Sequence, residues 1–413
     1  MTDLLLTNAR VLDVRGGEML PDRHILIEDG VISAVSETKP TTDADTTDAD
    51  TIDVGGRVVM PGLCDSHVHV TAATAHLSAI RHWSPAYVTA HAAKILEGML
   101  MRGFTTVRDG GGADWGLAQA VDEGLIAGPR IFFCGHALSQ TGGHGDMRTS
   151  GDDGIGYSWL TPGLGWVCDG LSELRRACRE EVRRGAHHIK LMVSGGVASP
   201  TDRIDSTQFS EEEIRAAVEE AEAANLYVMV HAYTARAINR ALRCGARTVE
   251  HGNLMDEESV DLLLENEAFL VPTLSIYQAL ADEGVEAGLP EELYRKVFDV
   301  LDAGKRALDM AYSGGVKMAY GTDLLGQMHR RQLDEFAIRG EIIPAIDALR
   351  AATCNGADLL CRTGELGEVI PGAQADLLVM DGDPLADLRV MTEPETNLRI
   401  IMKDGVIYKN TLN

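Results

Sequence analysis

Between residues 61 and 358 the chain switches repeatedly between a strand-like and a helix-like pattern, and this alternation limits its fold more than any other feature. Eight short runs rich in β-branched or aromatic residues recur: LCDSHVHV (63–70), TTVRDGG (105–111), RIFFCG (130–135), HIKLMVSG (188–195), YVMVHAY (227–233), RTVEHG (247–252), FLVPTL (269–274) and VKMAYGTD (316–323). Helical segments separate most of them. The clearest is EEEIRAAVEEAEAA, where Ser210 and Glu213 form a capping box that satisfies free N–H groups at the helix start. Strands joined through helices pair in parallel. Eight such units over about 290 residues predict an α/β fold, a (β/α)8 TIM barrel. An open doubly wound sheet is the alternative, but no Gly-rich phosphate turn follows the first strand to support it.

The two ends of the chain read as strands without helices. DLLLTNARVLDV, HILIEDGVISAVS and TIDVGGRVV near the start are matched by ADLLVMDGDPL and RIIMKDGVIYKN near the end, and DGVI occurs at both 29–32 and 404–407. Asp-Gly favours a hairpin turn because both positions need positive φ. The economical reading is a small β-sandwich domain made of residues 1–60 plus 359–413, with a barrel domain of 61–358 inserted. The acidic, Thr-rich stretch 36–50 reads as a solvated loop, since it lacks the Gly and terminal Glu of an EF-hand calcium site.

The formal net charge of −26 on 413 residues disfavours nucleic acid and anionic lipid as partners. No run of 18 apolar residues suggests a membrane span, and the first residues lack the basic and apolar segments of a signal peptide. Seven scattered cysteines without a CxxC fit reduced thiols in a cytoplasmic protein. Cys64, near the first histidines, fits a packed thiol better than a ligand. A homo-oligomer acting on a small molecule is the expected state.

Active sites of such barrels lie at the C-terminal ends of the strands. The first strand ends in His67 and His69, which share a face because they are two apart. Alone, the pair is better explained by two hydrogen-bonded histidines at a strand end. The fourth strand carries Lys190, the fifth ends in His231, the sixth in His251 and the eighth in Asp323. A barrel has no structural need for four histidines, a lysine and an aspartate in one mouth. Imidazole and carboxylate suit zinc and related divalent ions, with manganese, cobalt and iron also acceptable. An ammonium cannot ligate a cation. A lysine of lowered pKa in a dry mouth could instead add CO2, and the resulting carbamate could bridge two metals.

In order and placement, HxH, Lys, His, His and Asp resemble the metal-dependent amidohydrolase superfamily, together with the entry phrase VVMPGLCDSHVH and the sandwich from both termini. The resemblance implies that His67, His69 and Asp323 hold a more buried metal, that His231 and His251 hold a second, and that Lys190, as N6-carboxylysine, bridges the two. It further implies a bridging hydroxide as nucleophile, with Asp323 as the catalytic proton shuttle.

TGGHGDMR (141–148), IKLMVSGGVASP (189–200) and HAYTARAI (231–238) resemble the branch containing Xaa-Pro dipeptidases (prolidases) and imidazolonepropionase-like proteins. That likeness places His144 and Tyr233 against substrate, with the Tyr233 hydroxyl able to donate to a developing oxyanion. Each also has a plainer explanation, loop support for His144 and core packing for Tyr233. Arg148 or Arg203 could pair with a substrate carboxylate. His76, His82, His91 and His329 could reach the mouth from loops, while His187 and His188 read as packing residues, His188 with an outside role behind the ligands. The reaction expected is hydrolysis of an amide C–N bond in a dipeptide or N-acyl amino acid. The alternatives are a xenobiotic amide, phenylurea, carbamate, toxin or organophosphate ester, and a scaffold that kept the fold without catalysis.

Overall fold

The structure is a computed structural model that describes residues 3–40, 50–152 and 163–412. Of the stretch read as a solvated loop, residues 41–49 lie outside the described residues.

Both ends of the chain build one mixed sheet. Its order is Val406–Asn410, Leu398–Lys403, Leu377–Met380, Val58–Pro61, Leu4–Asp13, Glu18–Glu28 and Val31–Ser36, with Asp50–Asp53 also paired to Leu4–Asp13. The two DG pairs are its matching hairpin turns: Asp29 and Gly30 have φ of 49° and 81°, and Asp404 and Gly405 have 50° and 74°. The sheet folds back on itself. Ile32 N–H donates to Ala373 O at 2.8 Å and Gly372 N–H to Ile32 O at 2.8 Å, just before the strand Leu377–Met380. Leu6, Val11, Ile25, Ile32, Val59 and Val379 fill the enclosed core.

The inserted region is α/β, and its described strands pair with one another in parallel. Leu63–Val68, Phe104–Asp109 and Arg130–Phe133 form a three-stranded sheet. A seven-stranded sheet runs Gly165–Val167, Ala137–Ser139, Ile189–Met192, Val228–Thr234, Thr248–Leu254, Phe269–Val271 and Lys317–Met318. All eight anticipated strands are present. The two additions, Ala137–Ser139 and Gly165–Val167, are three residues each, too short for a period of two to register.

The strand ladders do not close into one ring. Among the described residues, a few backbone hydrogen bonds join the two sheets at each side. Ser66 N–H donates to Tyr320 O at 2.7 Å on one side, and His187 N–H to Phe133 O at 2.8 Å on the other. The last anticipated strand, 316–323, is regular only over Lys317–Met318, because the chain then turns to bring Asp323 beneath His67.

Helices cover the parallel strands. Glu211–Ala223 begins at the expected Ser210/Glu213 capping box and buries Ile214, Ala217, Val218 and Ala221. Each large aliphatic side chain so buried contributes roughly 1.5–3 kcal/mol. Among the described residues no helix is long and apolar enough to cross a membrane. All seven cysteines are free, and only Cys361 is exposed.

Candidate metal centre

The strand Leu63–Val68 is buried along its whole length and delivers His67, and just beyond it His69, with ring centroids 5.4 Å apart. Asp323 reaches the same point from the far side of the fold, anchored by its N–H to His67 O at 2.8 Å. Its Oδ1 lies 3.5 Å from Nε2 of His67 and 3.2 Å from Nε2 of His69. The rings of His67 and His251 are 4.9 Å apart and those of His231 and His251 4.7 Å. Lys190, on Ile189–Met192, lines the same cavity as these four histidines and Asp323. The six residues anticipated as ligands therefore converge, although they come from five separate segments.

Two of them have unusual backbones. His251 has φ of 73° and Asp323 of 56°, a left-handed conformation that is uncommon outside glycine. Strain of this kind persists only where the surroundings impose it. At His251 it has a direct effect. Neighbours on a strand point to opposite faces, yet Glu250 and His251 both reach His67, because the turn at His251 breaks the alternation.

Hydrogen bonds settle which ring nitrogens are available. Nδ1 of His69 lies 2.9 Å from Gly111 O; a carbonyl only accepts, so Nδ1 carries a proton and, in the neutral ring, Nε2 keeps its lone pair. His67 Nδ1 is 2.7 Å from Glu250 Oε2, which likewise turns the Nε2 lone pair toward Asp323. Nε2 of His231 donates to Gly195 O at 3.1 Å, leaving Nδ1 for the cavity. His251 Nδ1 is held by Thr273 Oγ1 at 2.8 Å.

Burial sets the charge states. It pushes the pKa of His67, His231 and His251 well below the usual imidazole value, so they are neutral, as ligands must be. Burial also opposes a charge on His69, but the hydrogen bond and charge of Asp323 outweigh it and its pKa is raised. The point between these two groups thus favours a cation. Burial brings Lys190 down to about 8, so part of it is neutral amine at neutral pH. His67, His69 and Asp323 place three candidate ligand atoms within 4.8 Å of one another. This donor set fits a divalent ion. The cavity has a free volume of about 40 Å³, several times the roughly 10–15 Å³ that one water needs. Leu77, Met147, Leu164 and Leu325 complete its wall and keep the local dielectric low.

His144 also lines this cavity, stacked on His231 with centroids 4.2 Å apart. Tyr233 stands just behind, with its ring 4.8 Å from His231 and 5.3 Å from His251 and its hydroxyl 3.2 Å from that of Tyr277. Burial pushes its phenol well above the usual range. Neither arginine lines the cavity. Arg148 grips Asp146 with two hydrogen bonds, and the exposed Arg203 grips Asp205. His76, His82, His91, His187, His188 and His329 are also outside the cavity wall. His188 stacks on Tyr227 at 5.6 Å, His187 Nδ1 accepts from Phe133 N–H, and His329 Nε2 donates to Ala72 O. Cys64 packs 3.7 Å from Ser66 Oγ and is not a ligand.

Sequence reasoning overlooked the support behind the ligands. Arg108 is fully buried and donates to Glu250 Oε1 at 2.8 Å, to Thr248 Oγ1 at 3.0 Å and to Ser66 O at 2.6 Å. Asp65 accepts from the N–H groups of His67 and Thr322, each at 3.2 Å. The signal available was the charged residue inside each apolar run, in TTVRDGG, RTVEHG and LCDSHVHV.

The model of the Amidohydrolase family matches residues 58–408. Ochratoxinase from Aspergillus niger is 33% identical over 412 residues, covering 95% of this chain and 84% of its own. The crystal structure of a prolidase complexed with N-methylphosphonate-L-proline superposes with a TM-score of 0.96 at 48% identity, covering 99% of this chain and 100% of its own. A Xaa-Pro dipeptidase with methionine bound in its active site superposes at 0.88, with 30% identity and coverage of 99% and 100%. The chain belongs to the amidohydrolase family. It is a hydrolase acting on carbon–nitrogen bonds.

Proposed function

We propose that the protein hydrolyses the amide bond of a dipeptide or N-acyl amino acid in a metal-dependent reaction. The observation that carries this reading is the convergence of His67, His69 and Asp323, with both Nε2 lone pairs aimed at one point by Glu250 and Gly111. The likeness to a prolidase and a Xaa-Pro dipeptidase supports the substrate class.

In this reading His67, His69 and Asp323 would hold one divalent ion, zinc by donor type, and His231 and His251 would hold a second. Lys190 would join the ligands as a carbamate, its neutral amine adding CO2 with formation of an N–C bond and release of one proton. Such ions, when bound, supply an acidified water and polarise the carbonyl. Asp323 holds the transferred proton: its Oδ1 faces the two histidines, and its second oxygen takes the proton from the attacking water and returns it to the leaving nitrogen. His144 contacts substrate from the cavity wall. The Tyr233 phenol, kept protonated by burial, donates to the substrate carboxylate or the developing oxyanion. Both arginines are engaged by carboxylates of their own, which leaves that task to Tyr233.

The same reading joins the two parallel sheets into a single (β/α)8 barrel, residues 61–358, through the contacts at Ser66 and His187. It treats residues 1–60 plus 359–413 as the β-sandwich domain. The free, mostly buried cysteines suit a cytoplasmic setting. A second reading keeps the metal chemistry and takes a xenobiotic amide as substrate; the likeness to ochratoxinase favours it. Assay of zinc-loaded protein against dipeptides, N-acyl amino acids and neutral aryl amides decides between them. The dipeptidase reading expects turnover of the free acids and fails if only neutral amides react.

A further inference from the structure

The loop after Ile189–Met192 carries a chain of polar contacts that ends on His144. Nδ1 of His144 lies 2.7 Å from Ser199 Oγ, and Ser199 Oγ donates to Asp202 Oδ1. Oδ2 of Asp202 accepts from Gly196 N–H at 3.2 Å and from Gln208 Nε2 at 3.0 Å. Lys296 arrives from a distant helix, Glu291–Val297. Its Nζ donates to Gly196 O at 3.1 Å, Ser199 O at 2.9 Å and Asp202 O at 2.8 Å, and lies 3.5 Å from Asp202 Oδ1. Ser199 and Asp202 are buried. A Cβ on Gly196 would come within 2.0 Å of the His144 ring, so the imidazole occupies space that only glycine leaves free.

The direction of these bonds follows from proton counting. The Asp202 carboxylate only accepts, so the single Ser199 proton goes to it. The Ser199 oxygen must then accept from His144, which puts the His144 proton on Nδ1. We propose that Lys296 and Asp202 are positioning residues for the active site: through Ser199 they hold His144 as the Nδ1–H tautomer, with Nε2 unprotonated toward the cavity. The inference rests on the proposed function in taking His144 to contact substrate. It adds a lysine and an aspartate that stand outside the cavity wall. Without Lys296, three carbonyls and a carboxylate lose a shared donor, and the loop carrying Gly196 and Ser199 no longer has one geometry.

The test uses metal-loaded full-length protein, with Lys296→Met and Ser199→Ala made singly and in combination with His144→Ala. Lys296→Met and Ser199→Ala are expected to lower kcat/KM at least tenfold at unchanged metal content. In the His144→Ala background each should add less than twofold, because the ring they orient is gone. Additive losses would mark a general structural role and overturn the proposal. The ¹⁵N signals of His144, assigned by their loss in His144→Ala, are an independent readout. One Nδ1–H tautomer in the parent protein and a mixture in Lys296→Met are expected. A pattern unchanged by both substitutions overturns the proposal. If His144→Ala alone leaves the rate intact, the substrate role of His144 fails instead, and the tautomer signal still decides the relay.

Discussion

Oε2 of Glu250 lies 2.7 Å from Nδ1 of His67, with both side chains buried, and Arg108 closes the other side of the same carboxylate at 2.8 Å. This carboxylate fixes the orientation and tautomer of His67, and partners of this kind typically change metal affinity 10–100-fold. Glu250→Gln is expected to weaken metal binding by about that factor, read by competition with a chelator. Arg108→Met would leave Glu250 buried without its cation. A loss of roughly 3–5 kcal/mol is expected by urea unfolding, as for a broken buried ion pair. A loss below about 1 kcal/mol would mean that water reaches the site.

Metal stoichiometry separates one-ion from two-ion chemistry. Protein grown with zinc and bicarbonate should contain about two ions per chain by elemental analysis. A stable value near one would leave His231 and His251 without a ligand role and remove the bridge from Lys190.

Lys190 is buried and held down to about 8. If its amine is carboxylated, Lys190→Ala should lose both activity and metal, and short carboxylic acids should restore part of each. Full activity in Lys190→Ala would reduce the lysine to a packing residue.

Asp323 touches both Nε2 atoms and should matter more to turnover than to binding. Asp323→Asn is expected to lower kcat by two orders of magnitude or more, within the roughly 10²–10⁴-fold range of general acid–base catalysis. A modest decrease in steady-state kinetics would assign the proton transfer to another group.

Substrate choice can be read from charge. A buried carboxylate without a donor is costly, so an amidated substrate should react far more slowly than the free acid. That difference should shrink in Tyr233→Phe. Equal rates for acid and amide in the parent enzyme would favour the xenobiotic reading.

Much of this protein is legible before folding is considered. The repeated DGVI marked two hairpins because an Asp-Gly pair tolerates positive φ and most pairs do not. Eight strand-like runs separated by helices required parallel pairing, and HxH on a strand required both rings on one face. These are local rules, set by backbone sterics and side-chain period, and the chain carries them wherever it goes. Glu250, Arg108 and the Lys296–Asp202–Ser199 relay were not legible in this way. Arg108 and Glu250 are 142 residues apart and Lys296 and Asp202 94 apart, so only the folded chain places them together. The alternation of strand faces would even have turned Glu250 away from His251. The left-handed backbone at His251, imposed by packing around it, brings both to His67. The sequence by itself determined the pattern of strands and the ligand types at their ends. Tertiary structure decided which nitrogen each imidazole presents, because that depends on the partner behind the ring, and each partner comes from a distant segment of the chain.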